Sequence, residues 1–162
     1  KKHFHLMSVI IMSFMAMIDK NQAAKIRTKR EGITFYALER HVNELMNKWT
    51  VMLKGNPSVA LDEMIDMQEI VTTWTHMEVD TDEFSLRKGN RRTRIGLIAG
   101  AMKLLETEGL IIILDREDIP KALPKTELFE RIEFLYHDYD RYEQMKRLMA
   151  SKEEEHAEDP SN

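Results

Sequence analysis

Five cations fall within eight residues at Arg87-Lys88-Gly89-Asn90-Arg91-Arg92-Thr93-Arg94. They lie at the start of a helix expected over Thr93 to Glu108, whose N-terminal dipole also favours anions. Such a cluster suits contact with phosphate groups without base readout. The alternative is a solvated loop whose charges balance Glu78, Asp80, Asp82 and Glu83 just upstream. Lys25, Arg27, Lys29 and Arg30 form a second, weaker cluster. Base readout would need Arg, Lys, Asn or Gln on the exposed face of the helix. Its core stripe is Ile95, Ile98, Met102 and Leu105, widened by Ala101 and Leu104, which leaves Gly96, Gly100, Lys103 and Thr107 opposite. Lys103 is the one cation on that strip, so the strip is poorly equipped to read bases. Gly96-x-x-x-Gly100 offers instead a flat place where another backbone can approach, a partner's or the protein's own.

Catalytic chemistry finds little to work with. There is no cysteine, which excludes disulfides, thiolate zinc sites and cysteine nucleophiles. The six histidines are scattered, and no His-Glu-x-x-His, Gly-x-Ser-x-Gly or Gly-x-x-x-x-Gly-Lys-Ser/Thr pattern occurs. Asp62, Asp66 and Glu69 share a helical face with the spacing of a solvated surface. His137 and Asp140 sit at i, i+3 but lack a second ligand pair. The expectation is a protein that is not an enzyme and holds no metal or cofactor.

The elements that must position these residues can be read from the apolar pattern. The chain has 162 residues, of which 43% are hydrophobic and 32% charged, enough for one domain with a core. One lysine against five acids in the last twelve residues accounts for the whole net charge of −4, so residues 1–150 are balanced. A general polyanion binder is excluded, and any nucleic-acid contact must be local. The chain opens at Lys1 without an initiator methionine, as expected of a fragment or a processed form. Its apolar run Leu6 to Ile18 is too short to span a membrane and is followed by no Ala-x-Ala cleavage pattern. A cytoplasmic protein without membrane contact is expected.

A first helix over about 3–18 is apolar nearly all round and therefore central. Lys25 to Arg30 is β-compatible, and Gly32 ends it. Thr34 is an N-cap for a helix to about Trp49 or Leu53, with Leu38, Val42, Leu45, Met46 and Trp49 at helical spacing. Asn56-Pro57-Ser58 breaks the chain, Ser58 caps a helix to about His76, and Glu78 to Arg92 is a loop. The helix from Thr93 closes at Gly109. Leu110 to Leu114 and Ile119 to Leu123 form a hairpin around Asp115-Arg116-Glu117-Asp118, with Pro120 marking an edge strand. Arg116 and Lys121 could add phosphate contacts there, but Asp115, Glu117 and Asp118 at the tip would repel them. A last helix runs from Thr126 to about Ala150, with Leu128, Ile132, Leu135, Tyr139, Tyr142 and Met149 on its stripe. Residues 151–162 form an acidic, disordered tail.

Helix, strand, helix, later helix and then directly a hairpin is the order of a winged helix-turn-helix. The expected class is mainly α with a small β-hairpin wing (α+β), carrying a helical insertion and a long C-terminal helix. One domain spans 1–150: insertion and loop 58–92, recognition-type helix 93–109, wing 110–123 and C-terminal helix 126–150. Tyr136, Tyr139 and Tyr142 bring three large amphipathic rings to that last helix, suited to packing on the domain or to a dimer seam. The twelve methionines fall mostly on the Leu and Ile stripes, as core fillers or as an adaptable binding surface.

Lys1-Lys2-His3-Phe4 with Met17-Ile18-Asp19-Lys20, then Thr93-Arg94-Ile95-Gly96 through Gly109-Leu110-Ile111, Leu123-Pro124-Lys125-Thr126-Glu127-Leu128-Phe129-Glu130-Arg131 and Tyr136-His137-Asp138-Tyr139-Asp140-Arg141-Tyr142 resemble an uncharacterised bacterial family. That family is akin to the KITE subunits, the tandem winged-helix partners of kleisins in SMC-type complexes such as MukBEF and the plasmid-restricting Wadjet systems. The resemblance implies a non-catalytic adaptor that binds a kleisin and an SMC-type ATPase, can form a homodimer, and touches the double-stranded DNA backbone without reading sequence. On it, Arg87, Lys88, Arg91, Arg92, Arg94 and Lys103 would meet DNA, and Gly96, Gly100, Tyr136, Tyr139 and Tyr142 a protein partner. KITE subunits carry two winged-helix units where one is legible here, which leaves room for a preceding domain. The alternative is a winged-helix transcription regulator.

Overall fold

The computed structural model describes residues 2–20, 32–55, 67–80, 92–116, 119–135 and 147. Among these the chain is mainly helical α+β, in the order α1 (Lys2–Lys20), β1 (Ile33–Thr34), α2 (Phe35–Gly55), α3 (Met67–His76), α4 (Arg94–Thr107), β2 (Ile111–Arg116), β3 (Ile119–Pro124) and α5 (Thr126–Leu135). No helix among the described residues is long and apolar enough to cross a membrane.

The helices start and stop where local chemistry directs. Ala37 N–H donates to Thr34 Oγ1 at 3.0 Å, and Gly96 N–H to Thr93 Oγ1 at 3.0 Å. Each threonine thereby satisfies one of the amides that a helix start leaves without a partner. At the far end of α4 the chain turns through Gly109, whose φ of 71° lies where a side chain would be strained. The turn is locked by Glu108 N–H to Leu104 O and Leu110 N–H to Leu105 O.

One core holds these elements together. α1 inserts Leu6, Val9, Ile10, Phe14 and Ile18 between α2, α3 and α4. Those helices answer with Leu38, Val42, Met46 and Trp49, with Met67 and Trp74, and with Ile95, Leu97, Ile98 and Met102. Full burial of such a side chain stabilises the fold by roughly 1.5–3 kcal/mol. Trp74 is fully buried and Ile70 and Val71 nearly so, which makes α3 a structural member of the core. Ser13 is also fully buried, and its hydroxyl has no hydrogen-bond partner among the described residues. Leu128 and Phe129 of α5 and Ile111 and Ala122 of the sheet belong to the same core.

The sheet is antiparallel in the order β1-β3-β2, with Ile33 opposite Ala122 and Ile113 opposite the same residue from the other side. The sheet departs from expectation at two points, and α4 at a third. A strand stands at Ile33–Thr34, where none is expected; the β-compatible stretch 25–30 lies outside the described residues. β3 is the central strand rather than an edge. Its prolines are tolerated because of parity. The Ala122 carbonyl faces β1, lying 3.0 Å from where a Cβ on Gly32 would sit. Pro120 and Pro124 share that parity, so their missing N–H groups point toward the β1 side, beyond its two residues. A side chain at Gly32 would crowd the β3 backbone, which would have to give by a few tenths of an ångström.

The third change concerns the faces of α4. Residues 95–99 are buried without a break, so Gly96 lies inside the fold and Leu97 is fully covered. Leu104, expected toward the core, is 51% exposed. A helix lodged between α1 and α2 must be apolar on both flanks, which erases the single stripe that would mark its inner face.

Candidate functional site

The start of α4 is built from four elements. Thr93 is extended at φ −114°, ψ 156° and forms a bridge with Glu78. Arg94 N–H donates to Glu78 O at 2.9 Å, and Ile95 N–H to Val79 O at 3.1 Å. With Gly96 N–H on Thr93 Oγ1, the first three amides of the helix are all occupied by the protein itself. A helix N-terminus binds an anion by presenting those amides, and here they are not presented. The expected contribution of the helix end to phosphate binding is therefore removed. Any anion would have to be held by side chains.

The Arg94 side chain turns inward. Its Nη1 donates to Glu39 Oε1 at 3.1 Å and to Asn43 Oδ1 at 3.0 Å, while Nε donates to the Trp74 carbonyl at 3.2 Å. The guanidinium lies over the Trp74 ring, 5.1 Å from its centroid, and Trp74 Nε1 donates to Asn43 Oδ1 at 3.2 Å. The side chains of Arg94 and Glu39 are only 13% and 10% exposed. One planar cation thus ties α2, α3 and α4 together at a desolvated position. Its charge is matched by Glu39 and points away from solvent. Glu39 and Asn43 sit at i, i+4 on α2, beside the apolar stripe Leu38, Val42 and Met46. Two polar residues bordering a core stripe at helical spacing are the sequence signal that marks this cluster.

Of the other residues expected to touch phosphate, Arg92 is exposed in the turn before α4, and Arg87, Lys88 and Arg91 lie outside the described residues. Lys103 is 70% exposed and pairs through Nζ with Glu106 Oε2, at i, i+3. The other Glu106 oxygen accepts the N–H of Ile113 at 3.1 Å. These two donors, Lys103 first, hold the Glu106 carboxyl below its ordinary range against an opposing effect of burial. The outward surface of α4 is thus Gly100, Lys103, Leu104, Glu106 and Thr107, a mixed surface with one cation already paired.

Of the residues expected at a protein interface, Gly96 is buried and Gly100 half-buried, with Met7 Cε 3.9 Å from its Cβ position. Gly96 therefore offers no open surface, and at Gly100 a Cβ would meet Met7 at ordinary van der Waals distance. Tyr136, Tyr139 and Tyr142 lie outside the described residues, as do His137, Asp140, Asp62 and Asp66. Among the described residues no group of three or more His, Cys, Asp or Glu side chains is placed to hold a metal ion. Compared with known proteins, the chain matches no family model, no curated protein and no solved structure.

Proposed function

We propose that the chain is a non-enzymatic winged-helix scaffolding subunit, an adaptor for a kleisin and an SMC-type ATPase, with auxiliary sequence-independent contact to the DNA backbone. The observation that carries the winged-helix part is the sheet order β1-β3-β2, in which the strand after α1 pairs with the return strand of the hairpin that α4 enters directly. The partner class comes from the sequence resemblance. The composition of α4 favours scaffolding over sequence readout. The half of a recognition helix that would enter a groove is here buried and closed by Arg94, and the exposed half carries Lys103, Leu104 and Thr107. Backbone contact then falls to Arg87, Lys88, Arg91 and Arg92, while Arg94 holds that loop's exit in place and Lys103 is a peripheral contact at most.

Affinity capture of the tagged full-length protein from its native host, read by mass spectrometry, tests the adaptor role. Co-recovery of an SMC-type ATPase with a kleisin is expected; recovery of neither would overturn it. Salt-dependent DNA binding tests the rest. Arg91→Ala with Arg92→Ala should flatten the slope of log affinity against log salt by about one for each cation that meets a phosphate. Discrimination of one DNA sequence from competitors by several kcal/mol would favour a transcription regulator instead.

A further inference from the structure

β2 is one edge of the sheet, and no strand among the described residues pairs with its outer side. Its backbone alternation is legible from two contacts. Ile113 donates its N–H to Glu106 instead of to β3, and the opposite residue, Ala122, turns its carbonyl toward β1. Ile113 and Ala122 therefore form a non-hydrogen-bonded pair, and Ile111, Ile113 and Asp115 direct their N–H and C=O groups to the open edge. The run Ile111-Ile112-Ile113-Leu114 is β-branched or apolar throughout, and the sheet's outer face exposes Ile112 at 43% and Ile119 at 44%. An apolar, proline-free edge of this kind is a template for adding a strand unless something blocks it.

The strand best matched to this edge is a second copy of β2. Antiparallel pairing about a two-fold axis at Ile113 would set Ile112 opposite Leu114 of the partner on the outer face, with Ile113 opposite itself. Apolar side chains meet at each of these positions. Brought to that axis are the two Glu106 carboxylates, each paired with its own Lys103 and already seated on the N–H that the pairing requires. We propose that Glu106 is an edge guard, a carboxylate on α4 that caps the outward N–H of Ile113 and so prevents two copies of the chain from joining through β2. Lys103 steadies the guard by binding the other carboxylate oxygen, leaving Oε1 aimed at the strand.

Sedimentation velocity of the full chain over a concentration series tests this, with helical content checked by circular dichroism. Glu106→Ala removes both the cap and the charge, and should tighten self-association on the order of tenfold or more, equivalent to about 1.4 kcal/mol or more. Glu106→Gln keeps an oxygen acceptor and should associate less than Glu106→Ala. Adding Ile113→Pro to Glu106→Ala deletes the outward N–H without removing a β2–β3 ladder bond, and should restore the original state. Should Glu106→Ala lose helical signal, Glu106→Leu, equally free of an acceptor and uncharged, is read in its place. A folded Glu106→Ala or Glu106→Leu protein that associates no more than the unsubstituted chain would overturn the proposal. So would an association that Ile113→Pro leaves intact, or an unsubstituted chain already joined through β2 and separated by Ile113→Pro.

Discussion

The two ends of α4 carry the same kind of charge pair in opposite settings. At its start, Arg94 and Glu39 meet across 55 residues of sequence in a nearly dry pocket, with Asn43 and the Trp74 carbonyl completing the donor set. Near its end, Lys103 and Glu106 meet three residues apart in water. Coulomb attraction between exposed groups is screened, and fixing two long side chains costs entropy, so the second pair contributes little. In the first, both ions have lost their hydration, so each depends on the other. The same contrast separates architecture from surface chemistry. The buried pair sets where three helices sit, and the exposed one adjusts a single carboxylate against a sheet edge.

The largest effect should come from breaking the buried pair on one side. Arg94→Ala would leave the buried Glu39 without its partner, a loss of about 3–5 kcal/mol. For a chain of this size that lowers the thermal midpoint by on the order of 10 °C in calorimetry. Arg94→Met combined with Glu39→Met removes both charges and keeps the volume, and should recover most of that loss. If the double variant is no more stable than Arg94→Ala alone, the pair is held for its hydrogen bonds to Asn43 and Trp74 more than for charge balance. Either result leaves the Arg94 guanidinium directed inward, toward Glu39, Asn43 and Trp74.

What the sequence makes legible divides along the same line of local against distant. The two threonine caps, the glycine turn at 109 and the hairpin of β2 and β3 follow from residues within a few positions of one another, though β2 runs on through Asp115 and Arg116, where a turn is expected. Their physics is contained in the local sequence. β1 escapes local reading because its two residues form a strand only through their pairing with Ala122 and Lys121, nearly ninety positions away. Arg94 groups by sequence with its charged neighbours because nothing near it announces Glu39. Periodicity assigns the faces of a helix that is covered on one side, and it fails for α4, which is covered on both flanks. Of the cations that the sequence groups before α4, Arg94 faces inward, toward Glu39.

A smaller effect tests the seal at the same helix start. Thr93→Ala removes the acceptor for Gly96 N–H while leaving the Glu78 and Val79 carbonyl contacts in place. A loss of about 1–2 kcal/mol by urea unfolding is expected, as for other N-cap threonines. A loss approaching that of Arg94→Ala would mean the cap and the guanidinium network form one cooperative unit, which combining the two substitutions would reveal as strong non-additivity.

The exposed pair should give the smallest change in stability but a clear change in titration. Lys103→Ala is expected to cost only about 0.2–0.5 kcal/mol near neutral pH. Glu106 has its folded pKa depressed, chiefly by the Lys103 hydrogen bond and next by the Ile113 N–H. Its contribution is therefore present above the unfolded-state pKa and is lost as the pH falls through the folded one. Removing Lys103 takes away the larger cause, so the Glu106 carboxyl should titrate at a higher pH, and its stabilising effect should fade earlier on acidification. Carboxyl carbon chemical shifts followed by NMR would resolve that movement where a thermal melt would not. A Glu106 titration that stays in place would mean that the Ile113 N–H alone sets the carboxylate, and that the edge of β2 holds its guard without help from the helix.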